Sequence, residues 1–153
     1  MVWDADLVSV QVILAFGKTN MRNLLAACAV LAITTSVVCA SPCDGVDRSI
    51  TNKRKVALST AIAKQLHASN VDVLQSFRSG AWSIIYVATH EADSAFLFFS
   101  RSPLTSRYVT MWSGAASINE EQEIKDWTLK NAPGIPQQLA RCFAWHVTKN
   151  RDL

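Results

Sequence analysis

The chain is short of glycine, proline and aromatic side chains: 5 glycines, 4 prolines and 8% Phe, Trp and Tyr in 153 residues. No two glycines are adjacent, so there is no glycine-rich loop to cradle a phosphate. No G-x-S-x-G elbow occurs. There is no internal repeat and no low-complexity tract. Neither sign of charge dominates, since 15 Lys and Arg against 12 Asp and Glu leave +3. That is far from the basic footprint of a nucleic-acid binder. The β-rich segments also lack the interleaved cations of a single-strand binder, so no nucleic-acid partner is expected. The main apolar stretch, residues 24–40, is 17 residues without a charge and runs into Ser41-Pro42. A spanning helix needs about 20, so no stable membrane span is expected in the mature chain.

That run has a different reading. Met21, Arg22 and Asn23 precede "LLAACAVLAITTSVVCA", which ends in Val38-Cys39-Ala40. A start methionine, a positive residue, an apolar stretch and a small-residue end outline a secretory signal peptide over 21–40, cut after Ala40. Residues 1–20 carry Asp4 and Asp6 where a signal would be basic, and read as an extension ahead of the true start at Met21. A lipid anchor on Cys39 fits less well, because Val38 and Ser36 stand where a small residue and a leucine are usual. The expected product is a single mature domain, residues 41–153, in the periplasm or outside the cell.

Four cysteines are present, and cleavage removes Cys28 and Cys39. In an oxidising compartment the remaining pair, Cys43 and Cys142, reads as a disulfide that ties the two ends of the domain together.

Periodicity then orders the mature chain. Residues 48–68 carry Leu58, Ile62 and Leu66 at helical spacing, with Asp47 or Ser49 as N-cap and Ser69-Asn70 as the stop. Four strand-like segments follow, "VDVLQSFRS", "AWSIIYVAT", "AFLFFS" and "RYVTMWS", separated by turn residues at meander spacing. "AFLFF" is apolar on both faces and needs cover on both. Ser117 and Glu120 form a capping box for a helix from Ile118 to about Asn131, with Ile124 and Trp127 as its buried face. Pro136 opens a short turn through Leu139–Arg141, and "CFAWHVT" alternates as a final strand, with a continued helix as the alternative. The fold class is α+β: a single antiparallel sheet of 4–5 strands with two main helices on one side, in the order α-β-β-β-β-α-(short α)-β.

Candidate chemistry is sparse. His90, Glu91 and Asp93 fall in one turn, where imidazole and carboxylates could bind a divalent ion or act as acid and base, but ligands packed this close in one hairpin are hard to direct at one point, and the preferred reading is a polar solvated turn. Cys142 and His146 are four apart and share a face on a helix, but a disulfide would remove the thiol. The basic cluster at 52–55 reads as a solvated helix face. No catalytic residue, no metal ligand and no cofactor is assigned. If the helices cover one sheet face only, Trp82, Tyr108 and Trp112, with Arg78 beside them, give the other face the composition of a binding hot spot. The resulting expectation is a protein-binding module, such as an inhibitor, immunity or adaptor protein, whose partner is another exported protein. The alternatives are a small exported hydrolase using His146 or His90, and a small-ligand carrier with a cavity lined by Phe96, Phe98 and Trp127.

Overall fold

The computed structural model describes residues 40–150. The expected extension and signal peptide lie outside the described residues, save Ala40. The central strand explains the architecture. All five residues of β3 (Ala95–Phe99) are buried, so both faces of the sheet must be covered. β1 (Asp72–Ser79), β2 (Trp82–Ala88) and β4 (Thr110–Ser113) join β3 in a four-stranded antiparallel meander of order β1-β2-β3-β4. The class is α+β, as the sequence implies.

Two cores result. On one face Leu58 and Ile62 of α1 (Asn52–Leu66) pack with Val73, Ile85, Leu97 and Phe99. On the other, α2 (Glu121–Asn131) and α3 (Gln137–Lys149) cover Phe77, Ile84, Phe96 and Phe98. The helices therefore lie on both faces, which corrects the one-sided expectation. Residues alternate faces along each strand, and each set of apolar side chains found its own helical layer.

The final strand is also corrected. Residues 142–148 belong to α3, which absorbs the expected short turn. Leu139, Cys142, Phe143, His146 and Val147 are buried at 3.6-residue spacing. Phe143 and Val147, four apart, satisfy a helical and an alternating pattern equally, which is why the sequence left the choice open. Pro136 starts the helix at φ −58°, and its carbonyl accepts from the Ala140 N–H at 3.1 Å.

The other helices keep their expected positions with shifted ends. α1 starts after Thr51, whose Oγ1 accepts from the Arg54 N–H at 3.3 Å. Asp47 instead caps the turn before it, accepting from Ser49 N–H and Oγ. Lys53-Arg54-Lys55 thus falls in the first turn, where positive charge opposes the helix dipole. The α1 helix stops at His67 rather than Ser69-Asn70. The Ser117–Glu120 capping box forms ahead of α2, over a short 3-10 turn at Ile118–Glu120. On α2, Ile124 and Thr128 are buried, while Trp127 packs half-buried against the same core.

The segment before β4 is diverted from the expected strand. Gln65 Nε2 donates to the carbonyls of Pro103 and Ser106, at 3.3 and 3.0 Å, and its Oε1 accepts from the Tyr108 N–H at 3.3 Å. These bonds fold the loop back along α1 and delay pairing until Thr110.

Cys43 and Cys142 are joined, at an S–S distance of 2.09 Å and a sequence separation of 99. Gln138 Nε2 reinforces the join by donating to the carbonyls of Pro42 and Asp44, at 2.9 and 2.8 Å. Breaking the bridge releases a loop of that length, so reduction should lower the unfolding free energy by about 2–5 kcal/mol. Urea titration of oxidised and reduced protein measures it. A second expectation concerns acid. Hydrogen bonds from Ser49 and the charge of Arg78 hold Asp47 below the usual carboxylate range, and the Ser117 N–H does the same for Glu120. Lowered folded values mean that this stability is complete above the unfolded carboxylate range and is lost as pH falls through the folded values. Asp47→Asn with Glu120→Gln should flatten the acid limb of a stability–pH curve, read by urea midpoints.

Candidate functional site

One end of the sheet gathers the polar groups that the core does not use. It is built from the α1–β1 connection and the β2–β3 turn. α1 ends at His67, which adopts a left-handed conformation (φ 55°), and the Ala68 N–H closes on the Ala63 carbonyl at 3.1 Å. Glycine usually fills this position, and histidine tolerates it at a cost. The chain then runs through Ser69 and Asn70 into β1. Across the sheet, β2 gives way to a turn in which Thr89 Oγ1 accepts from the Ala92 N–H at 3.1 Å. His90 is left-handed too, at φ 60°. Among the described residues these two histidines are the only non-glycine positions with positive φ. Both flank the same end, and rare backbone conformations of this kind cluster where loops do work.

The two loops are tied to each other twice. His90 Nε2 lies 2.6 Å from Asp72 Oδ2. Ser69 Oγ donates to Glu91 Oε1. The register explains both contacts: Asp72 pairs with Ala88, so the turn that follows β2 passes directly beside the start of β1. Below the turn lies a hollow of about 210 Å³, between the end of α1 and the sheet, with Met111 of β4 at its margin.

The expected site residues are placed as follows. His90 lies against Asp72 and Glu91 accepts from Ser69 through one oxygen, and among the described residues no group of three His, Cys, Asp or Glu is arranged to hold a metal ion. Cys142 is in the disulfide, and His146 is fully buried, its ring 4.8 Å from that of Phe77. The aromatic face is not open. Trp82 and Trp112 pack half-buried on the α2–α3 side, Trp112 at 5.6 Å from Phe143. Tyr108 packs on the opposite face, 6.5 Å from Phe99. Arg78 forms an ion pair with Asp47, to which it also bonds through the backbone. The structure therefore does not bring Arg78, Trp82, Tyr108 and Trp112 into one patch. Phe96 and Phe98 pack on Phe143 at 5.1 and 5.0 Å, and Trp127 on Phe98 at 5.9 Å, which fills the space assigned to a ligand cavity.

The Asp72–His90 pair escaped the sequence because its members are 18 apart and meet only through strand register. The signal that could have found it is the alignment of "VD" at one strand start with "THE" at the neighbouring strand end. Comparison with family models, with curated proteins and with solved structures finds no match for this chain.

The left-handed turn is testable. His90→Gly should retain the fold, since glycine accepts φ 60° freely, while His90→Val should cost about 1–2 kcal/mol. Thermal unfolding of the two variants separates backbone strain from loss of the Asp72 contact.

Proposed function

We propose that the protein is an exported protein-binding module whose contact surface is the end formed by the α1–β1 connection and the β2–β3 turn. The observation that carries this reading is the construction of that end: two loops cross-tied by Ser69–Glu91 and His90–Asp72 above a hollow, on a sheet packed on both faces. Loops held by a rigid scaffold are where recognition surfaces concentrate. Export is supported by the Cys43–Cys142 pair, which persists in oxidising compartments. Among the described residues no helix is long and apolar enough to cross a membrane, which agrees with a mature domain that carries no span of its own there. The reading moves the partner surface from the sheet face to its end, because Trp82 and Trp112 contribute their rings to the core. Inhibitor, immunity and adaptor roles all fit a small module of this kind, with another exported protein as partner.

A second reading draws on the Asp72–His90 contact. A carboxylate orients the imidazole of many general bases, so a small hydrolase would use this pair. It requires that His90→Ala abolish turnover of an ester or amide substrate.

The deciding experiment is the intact mass of the exported protein before and after reduction and alkylation. Export and bridging require a chain that begins at Ser41 and takes no alkyl group until it is reduced. A mass beginning at Cys39 with added lipid would make the protein a membrane-anchored lipoprotein. An uncleaved chain with free thiols would overturn the exported reading. For the binding role, Ala92→Arg should weaken a captured partner at least tenfold with little change in melting temperature. Trp112→Ala should lower the melting temperature instead.

A further inference from the structure

On the α1 side of the sheet the helical cover stops short of β4. Met111 pairs with Leu97, so the two side chains share a face. Leu97 is fully buried in the core with α1, whereas Met111 is 47% exposed. Val109, also beside this edge, is 45% exposed. An apolar strip is left uncovered here, and the hollow opens at one end of it.

The chemistry of the hollow is sharply divided. Leu66, Val87, Ala95 and Met111 line it with aliphatic or thioether side chains, beside Thr89. Its rim carries Glu91 and Asp93 from the β2–β3 turn, and no cationic side chain lines it among the described residues. Ser69 holds Glu91 through its carboxylate, which fixes one of the two negative groups in place. At about 210 Å³ the space is below the ~300–1,000 Å³ typical of sites for whole small molecules. It is suited to a single long side chain. An anionic tip would be repelled by the carboxylates, and a carboxamide tip could donate to them but would leave their charge unmatched. A purely aliphatic tip would strip water from those carboxylates and return nothing. Lysine and arginine satisfy both halves, burying an aliphatic stem while presenting a cation at the lip. Met111 is an adaptable wall for such a stem.

We propose that this hollow receives a lysine or arginine side chain of the partner protein, anchoring it between Met111 and the carboxylates of Glu91 and Asp93. The proposal rests on the binding-module reading and names the chemistry of the residue that the module recognises.

The test uses the oxidised full chain with ¹³C-methyl methionine and four blocked pentapeptides that differ at the centre: lysine, arginine, norleucine or glutamate. Lysine and arginine peptides should shift the Met111 methyl signal saturably. Norleucine should bind about three- to fivefold more weakly, as loss of an exposed ion pair implies, and glutamate should have no effect. Glu91→Gln with Asp93→Asn should bring lysine down to the norleucine level, and added salt should do the same in part. Glu123→Gln, on the exposed side of α2, should change nothing. Equal binding of norleucine, unchanged lysine binding in the double variant, or no shift with any peptide would each overturn the proposal. A photo-cross-linker at position 92 separates this failure from that of the underlying reading. Cross-links to another exported protein without a cation preference in the peptides reject the lysine–arginine anchor alone. A cation preference without any cross-linked polypeptide rejects the binding-module reading, and the partner assignment falls with it.

Discussion

The rest of the structure follows from burying β3 on both sides. Ala95–Phe99 offers no polar side chain to either face. Full burial of a phenylalanine or leucine contributes about 1.5–3 kcal/mol, so exposing either face of this strand would forfeit several such contributions. One helix cannot cover both faces. The chain supplies α1 before the sheet and the α2–α3 pair after it, and the meander between them keeps every strand beside its sequence neighbour. Phe96 shows how tight the result is, with its ring stacked on Tyr86 at 4.1 Å and set edge-on to Phe143 at 5.1 Å.

Covering both faces also decides where recognition can sit. With the faces closed, the free chemistry is pushed to the rim of the sheet. There the backbone must reverse, and polar groups remain near water. The α1–β1 and β2–β3 connections meet at one such rim, and their cross-ties reduce the freedom that two separate loops would otherwise lose on binding. Gln65 draws the segment before β4 along α1, and Met111 of β4 stays 47% exposed.

Much of this was legible in the chain. Ser79-Gly80 and His90–Ser94 marked turns between segments of strand composition, and the double-sided apolarity of "AFLFF" required cover above and below. Cys43 and Cys142 were the pair that cleavage after Ala40 would leave. The layer assignment was not legible, because "CFAWHVT" fits two periods. Only tertiary packing, with the Cys43 bond and the Phe96–Phe143 contact, selects the helix. The fate of Trp112 depended on that same choice, since Phe143 of α3 packs on its ring. The rim pairs Asp72–His90 and Ser69–Glu91 were hidden because each joins the start of β1, or the residues just before it, to the β2–β3 turn, and register alone brings them together.

The sulfur link carries a mechanical consequence. Tension entering from the residues before Cys43 crosses directly to α3 through the Cys142 side chain and leaves through the last turns of that helix. The sheet, α1 and α2 all lie within the bridged loop, with its sequence separation of 99, and off that covalent path. A pull along the chain axis in an oxidising medium would therefore load first the segments outside the bridge, including the half of α3 that follows Cys142. Force would reach the sheet only where Phe143 and Val147 of that last half-helix pack on it.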